Sequence, residues 1–139
     1  MSRIQIDFPS HSIYTTNISV RITDLNYGGH LGNDAMLSIL HEARVRFLKN
    51  YDYTELNVEG AGIIMSDVAI QFKSEAFYGE NLTIEIATGD FTRVSFDIFY
   101  IVKCDERIVA IAKTGIVFFD YEKRKVVNVP EVFAKRFSL

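Results

Sequence analysis

The eleven residues DLNYGGHLGND, Asp24 to Asp34, gather the polar chemistry of a chain that otherwise runs through one apolar stretch after another. Asp24 and Asp34 offer carboxylates and His30 an imidazole, the groups that move protons in general acid–base catalysis. Asn26 offers a carboxamide, which hydrogen-bonds a carbonyl or a water but takes no proton at physiological pH. Gly28, Gly29 and Gly32 leave room for a ligand to come close and permit backbone angles that bulkier residues resist. The stretch runs directly into a helical pattern, so Gly32, Asn33 and Asp34 fall where a helix begins. Unpaired N–H groups and the positive end of the helix dipole gather at such a start, and both suit negative charge developing on an oxygen.

The elements that must position these residues are legible in periodicity. Before the polar stretch, Ile18, Val20 and Ile22 alternate with polar neighbours and predict a first strand over 18–22. After it, Met36, Leu40, Ala43 and Phe47 recur at steps of four, three and four, with Leu37, Ile39 and Leu48 widening the stripe. That spacing predicts a helix between Asn33 and Tyr51, capped by Gly32 or Asn33 and apolar over more than half its circumference, hence wrapped by other elements. Four long strand-like runs follow. Ile64, Val68, Ile70 and Phe72 share one parity; Leu82, Ile84 and Ile86 alternate with polar residues; Val94 to Val102 and Ile108 to Phe119 complete the set. Short polar breaks between the last three predict an antiparallel meander. Pro130 is placed to open a short helix from Glu131 to Phe137. The expectation is an α+β domain spanning 1–139, with a five-stranded antiparallel sheet curled around one long helix and a short helix at the end. Phe99 and Ile101 fall on the nominal outer face of that sheet, where they predict contact with another copy of the chain.

Composition narrows the function classes. The 139 residues carry a formal net charge of -3, with 48% hydrophobic and 24% charged residues. Such a balance lacks the basic footprint of nucleic-acid binding. No stretch approaches the eighteen or so consecutive apolar residues of a membrane span, and the opening MSRIQIDFPSHS lacks a signal peptide's apolar core. Cys104 stands alone, without metal-ligand spacing, so neither a disulfide nor a metal site is expected and a cytoplasmic location is.

The residues themselves are similar to a known family, the hotdog-fold acyl-CoA thioesterases of the 4-hydroxybenzoyl-CoA thioesterase-like group. Between first strand and central helix that group carries D-x-D-x-x-G-H-x-x-N, matched here by Asp24, Gly29, His30 and Asn33, with HEAR at His41 to Arg44 resembling the helix that follows. FYGENLTIEI at 77–86 and FFDYEKRKVVNVP at 118–130 resemble later segments of the family. The resemblance implies a hotdog fold and hydrolysis of an acyl-CoA or acyl-carrier-protein thioester, with CoA entering as part of the substrate and no separate cofactor. It also implies a homodimer, or a dimer of dimers, that shares active sites. One departure stands out: Asn26 occupies the position where the family places a second aspartate, its base or nucleophile.

The resemblance puts the thioester carbonyl on amides of the polar loop and helix start, and leaves the proton-moving group open among Asn26, His30, Glu42 and Asp34. Glu42 lies about 13 Å along a helix from Asn33, so it acts from a second chain or serves as an i,i+4 partner of Arg46. Asp24, Tyr27, Gly28, Gly29, Gly32, Asn33, Asp67 and Arg93 are candidates for contact with substrate. Lys113 and the run Lys123, Arg124, Lys125 are further candidates for the coenzyme phosphates. Two other functions remain. A hydratase of the same fold shares the order Asp24, Asn26, His30, although its proline is missing here and the asparagine-to-histidine spacing is one residue longer. The other is a non-catalytic acyl-thioester binding domain.

Overall fold

Tyr14, Thr16 and Ile18 turn one way and Thr15, Asn17 and Ser19 the other, which makes Tyr14–Ser19 the first strand, β1. The computed structural model describes residues 3–138. The strand lies earlier than its alternation predicts. Val20 is buried but its amide already bonds the Glu80 carbonyl, and Ile22 opens a 3-10 turn, Ile22–Asp24, with its side chain in solvent. The Asp24 carboxylate accepts the Arg21 amide at 2.9 Å and bends the chain out of the sheet there.

The long helix, α1, spans Asn33–Lys49. It stops two residues short of the expectation because Asp52 adopts a left-handed φ of 61°, which brings the amides of Asp52 and Tyr53 back onto the Lys49 and Leu48 carbonyls. Four strands follow: β2 (Gly62–Phe72), β3 (Asn81–Gly89), β4 (Ser95–Cys104) and β5 (Arg107–Asp120). A two-residue strand that the pattern did not reveal, β6 (Lys125–Val126), pairs with the end of β5, and α2 covers Glu131–Phe137 as expected.

The strands are antiparallel in the order β1-β3-β4-β5-β2. Sequence neighbours β1 and β2 therefore form opposite edges, and α1 is the segment that crosses between them. Met36, Leu40, Ala43, Phe47 and Leu48 of α1 are buried with Ile84, Ile86, Ile98, Tyr100 and Ile116 on the sheet's inner face. Phe133 and Phe137 of α2 close one end of this core, with Phe133 centred 4.9 Å from Phe96 and 5.3 Å from Phe118. At the other end, where α1 begins, Met36 and Val109 border a cleft.

One expectation about the sheet is corrected. Ile64 does not share a face with Val68, Ile70 and Phe72. The register slips between Met65 and Asp67, so Ile64 pairs with Val117 on the outer face while Val68 pairs with Thr114 on the inner one. Phe99 does point outward, but it is only 7% exposed, because the chain's own residues Ile4 to Pro9 lie over that part of the sheet. Phe99 and Pro9 both stand against Gly89, so this side chain needs no second copy to cover it.

Candidate active site

The polar loop is organised by Asn26. Its Oδ1 accepts the Gly28 amide at 2.9 Å and the His30 amide at 3.4 Å, while its own amide donates to the His30 carbonyl. This is an Asx turn, the short-range bonding that makes asparagine a turn former. Gly28 sits in a tight spot: a Cβ there would lie 3.2 Å from both Asn26 Oδ1 and His30 Nε2, so these side chains would have to give by a few tenths of an ångström. Gly29 takes a φ of 84°, which the tight turn demands and side chains resist. Tyr27 at the tip is fully exposed.

A second loop holds this one in place. The Leu31 amide donates to the Ala76 carbonyl at 2.8 Å, and His30 and Phe77 form an isolated antiparallel bridge. The connection between β2 and β3 is thus tied to the connection between β1 and α1, although more than forty residues separate them in sequence.

Where the two loops meet, α1 begins. Gly32 is the N-cap, and no side chain caps the helix. The amides of Asn33, Asp34 and Ala35 have no hydrogen-bond partner among the described residues; the first helical bond runs from the Met36 amide to the Gly32 carbonyl. They lie at the positive end of the helix dipole, and Asn33, the first of them, borders a cleft of about 290 Å³ lined by His30, Leu31, Asn33 and Met36 on one side and by Phe72 to Ala76 and Val109 on the other. Asp34 folds back over the N-cap, where a Cβ on Gly32 would come within 2.7 Å of its Oδ1.

The remaining candidates lie elsewhere. Asp24 is buried and occupied by Arg21. Glu42 faces the β1 flank and pairs with Arg46 at 2.8 Å, while Arg46 also bonds Thr16 and the Asn17 carbonyl. Asp67 sits at the β2 bulge, accepting the Gly115 amide and pairing with Lys113 at 3.4 Å. Lys113 in turn reaches Asp97, whose carboxyl burial pushes above its usual range against the pull of that lysine. Arg93 donates to Asn128 just before β4. It lies near the far end of β5, about 26 Å along the strands from Val109 beside the cleft. Lys123 and Arg124 lie in the turn between β5 and β6, where Asp120 accepts the Glu122 and Lys123 amides, and Lys125 begins β6 opposite Asp120.

One residue that the sequence did not single out joins the cleft. Glu75, from the β2–β3 connection, places its Oε1 3.8 Å from His30 Nε2. Nothing near it in sequence marked it, since its neighbour His30 arrives through the pairing of the two loops.

Farther along α1 a different polar group crosses the core. Arg44, 6% exposed, donates to Glu55 at 3.1 Å and to the Tyr100 hydroxyl at 3.3 Å, and that hydroxyl is 2.8 Å from Thr114 Oγ1. His41 Nε2 lies 2.8 Å from the other Glu55 oxygen. Burial would raise the Glu55 carboxyl, but the bonds from His41 and Arg44 outweigh it and hold the group below the usual range.

The model of the thioesterase-like superfamily matches residues 20–137, most of the chain. No curated protein matches in sequence. Among solved structures, the chain is similar to a 1,4-dihydroxy-2-naphthoyl-CoA thioesterase from Synechocystis, with 20% identity, a TM-score of 0.78 and coverage of 88% of this chain and 93% of that one. It is also similar to a gentisyl-coenzyme A thioesterase, with 18% identity, a TM-score of 0.77 and coverage of 86% and 98%. At these identities the likeness is one of fold: an antiparallel sheet around a long helix, the hotdog arrangement.

Proposed function

Because the chain belongs to the thioesterase-like superfamily, we propose that it hydrolyses an acyl-CoA or acyl-carrier-protein thioester in the cleft at the amino end of α1. The observation that carries this reading is the uncapped start of α1, whose amides from Asn33 to Ala35 are unpartnered among the described residues and whose first residue, Asn33, lines the cleft with His30. A thioester carbonyl seated on those donors becomes more electrophilic, and they stabilise the oxyanion as it forms. Water adds to the carbonyl carbon and gives a proton to His30. The carbon–sulfur bond then breaks, the acid is released, and His30 returns the proton to the departing thiolate. Coenzyme A enters as part of the substrate, and no other cofactor is needed.

Asn26 has a different part in this scheme. Its oxygen is occupied by two loop amides, so it shapes the turn that presents His30 and leaves proton transfer to the imidazole.

The working unit in this reading is a homodimer. Edge strand β2 exposes Met65, Val68 and Phe72, and α1 exposes Leu37 beside Met65 and Val45 two turns on. A second copy on this face would cover an apolar surface that adjoins the cleft.

The test is release of free thiol from a panel of acyl-CoAs led by 1,4-dihydroxy-2-naphthoyl-CoA and gentisyl-CoA, the substrates named for the two similar structures. Thiol release at one or more members supports the reading. Water addition to an enoyl-CoA without thiol release would replace it with the hydratase. Ligand-dependent thermal stabilisation with neither reaction would leave a binding domain.

A further inference from the structure

The proposed chemistry needs an imidazole held in one tautomer, and the position where the family places an aspartate carries Asn26, whose carboxamide is already engaged. We infer that Glu75 supplies the missing carboxylate: it is the positioning residue that orients His30 as the general base, a role that rests on the hydrolysis reading above.

On both sides Glu75 is anchored: the Lys73 and Ser74 amides donate to the Val109 carbonyl at 2.8 and 3.2 Å, and the Ser74 hydroxyl donates to the Ile108 carbonyl. The Glu75 carbonyl accepts from Arg107, and Ala76, 1% exposed, accepts the Leu31 amide. A carboxylate on so fixed a stem has a short reach, and His30 is its one ionic or hydrogen-bonding partner among the described residues. The separation of 3.8 Å is an ion-pair distance longer than a hydrogen bond, and catalytic hydrogen bonds that are long in the unliganded protein often tighten when substrate arrives.

The ring is constrained too. Phe77 stands edge-on with ring centres 6.3 Å apart, and the backbone on both sides of His30 is hydrogen-bonded. When Nε2–H donates to Glu75, Nδ1 is left unprotonated as the base, and the carboxylate stabilises the imidazolium once the water proton has been taken. Lys73 is the other charged side chain lining the cleft, and it forms no ion pair with Glu75.

The test is a double-mutant cycle in thiol release, with wild type, Glu75→Gln, His30→Ala and the double variant on the best substrate of the panel. The expected result is a fall in kcat of about tenfold to a hundredfold for Glu75→Gln, with KM within about twofold of wild type. His30→Ala should lose more, and the double variant no more than His30→Ala alone, because Glu75 acts only through the imidazole. Glu75 is exposed, so the melting temperature should not move. Wild-type turnover in Glu75→Gln, or multiplicative losses in the double variant, would overturn the assignment while leaving hydrolysis in place. Absence of thiol release by the wild type would overturn hydrolysis, and this assignment with it.

Discussion

Two histidine–glutamate pairs flank α1, and they differ in what else holds the glutamate. At mid-helix, Glu55 is 2.8 Å from His41 and also bound by Arg44, which continues through Tyr100 to Thr114 inside the core. At the helix start, Glu75 is 3.8 Å from His30, with no second side-chain partner among the described residues, and it lines the same cleft as Asn33, the first residue of the uncapped helix. Each oxygen of the first carboxylate is already bonded, one to His41 and one to Arg44 of α1. The second retains free acceptor capacity, in a cleft that a substrate can enter. Of the two acid–histidine contacts, the loosely held pair beside unpaired donors is therefore the one suited to proton transfer.

The sharpest way to break that contrast is to disturb each pair and measure stability and turnover separately. Arg44→Ala removes a buried cation, its bonds to Glu55 and Tyr100 and the volume of its stem. It should cost about 2 to 4 kcal/mol in urea unfolding, whereas Glu75→Ala should cost less than about 0.5 kcal/mol. Equal losses would erase the distinction between a structural and an available carboxylate.

Tyr100→Phe is a milder probe of the same network. It deletes a hydroxyl bonded to Arg44 and Thr114 without opening a cavity, and should cost about 1 to 2 kcal/mol by the same measurement. No loss would mean that the polar path through the core contributes nothing net.

Acid titration gives the smallest effect. The Glu55 carboxyl lies below its ordinary range in the folded chain, so its contribution is complete above the unfolded value of about 4.3 and is lost as pH falls through the folded one. Glu55→Gln should therefore flatten the dependence of melting temperature on pH below that point and leave it unchanged near neutrality. A slope identical to wild type would show that Glu55 titrates normally.

Features set by local spacing were readable in advance. The start of α1 follows from apolar residues at steps of three and four after a glycine-rich loop, and the uncapped amides follow from having Gly32 as the cap. Features made by distant segments were not. Ile64 lands on the outer face because a bulge at Ser66, invisible in the alternation, shifts the register. Phe99 is covered by Ile4 to Pro9, a segment whose mixed polarity has no period to announce that it packs on a sheet. Glu75 meets His30 only because the Leu31 amide bonds Ala76, and Arg44 finds Glu55 through the turn after α1. The loop motif thus located the cleft, while the residue assigned to completing its chemistry came from the other wall.

The central claim, that bare peptide donors at the amino end of α1 polarise the carbonyl, can be tested by removing one donor without breaking the helix. Asn33 is the first helical residue, where proline is favoured, and Gly32 before it is already extended, with φ -74° and ψ 152°, as a residue preceding proline must be. Asn33→Pro deletes one unpartnered N–H, and Asn33→Ala keeps that N–H while losing the same side chain. Measured as thiol release, Asn33→Pro should lower kcat about a hundredfold to a thousandfold relative to Asn33→Ala, at an unchanged or higher melting temperature. A folded Asn33→Pro protein that turns over as fast as Asn33→Ala would contradict the account.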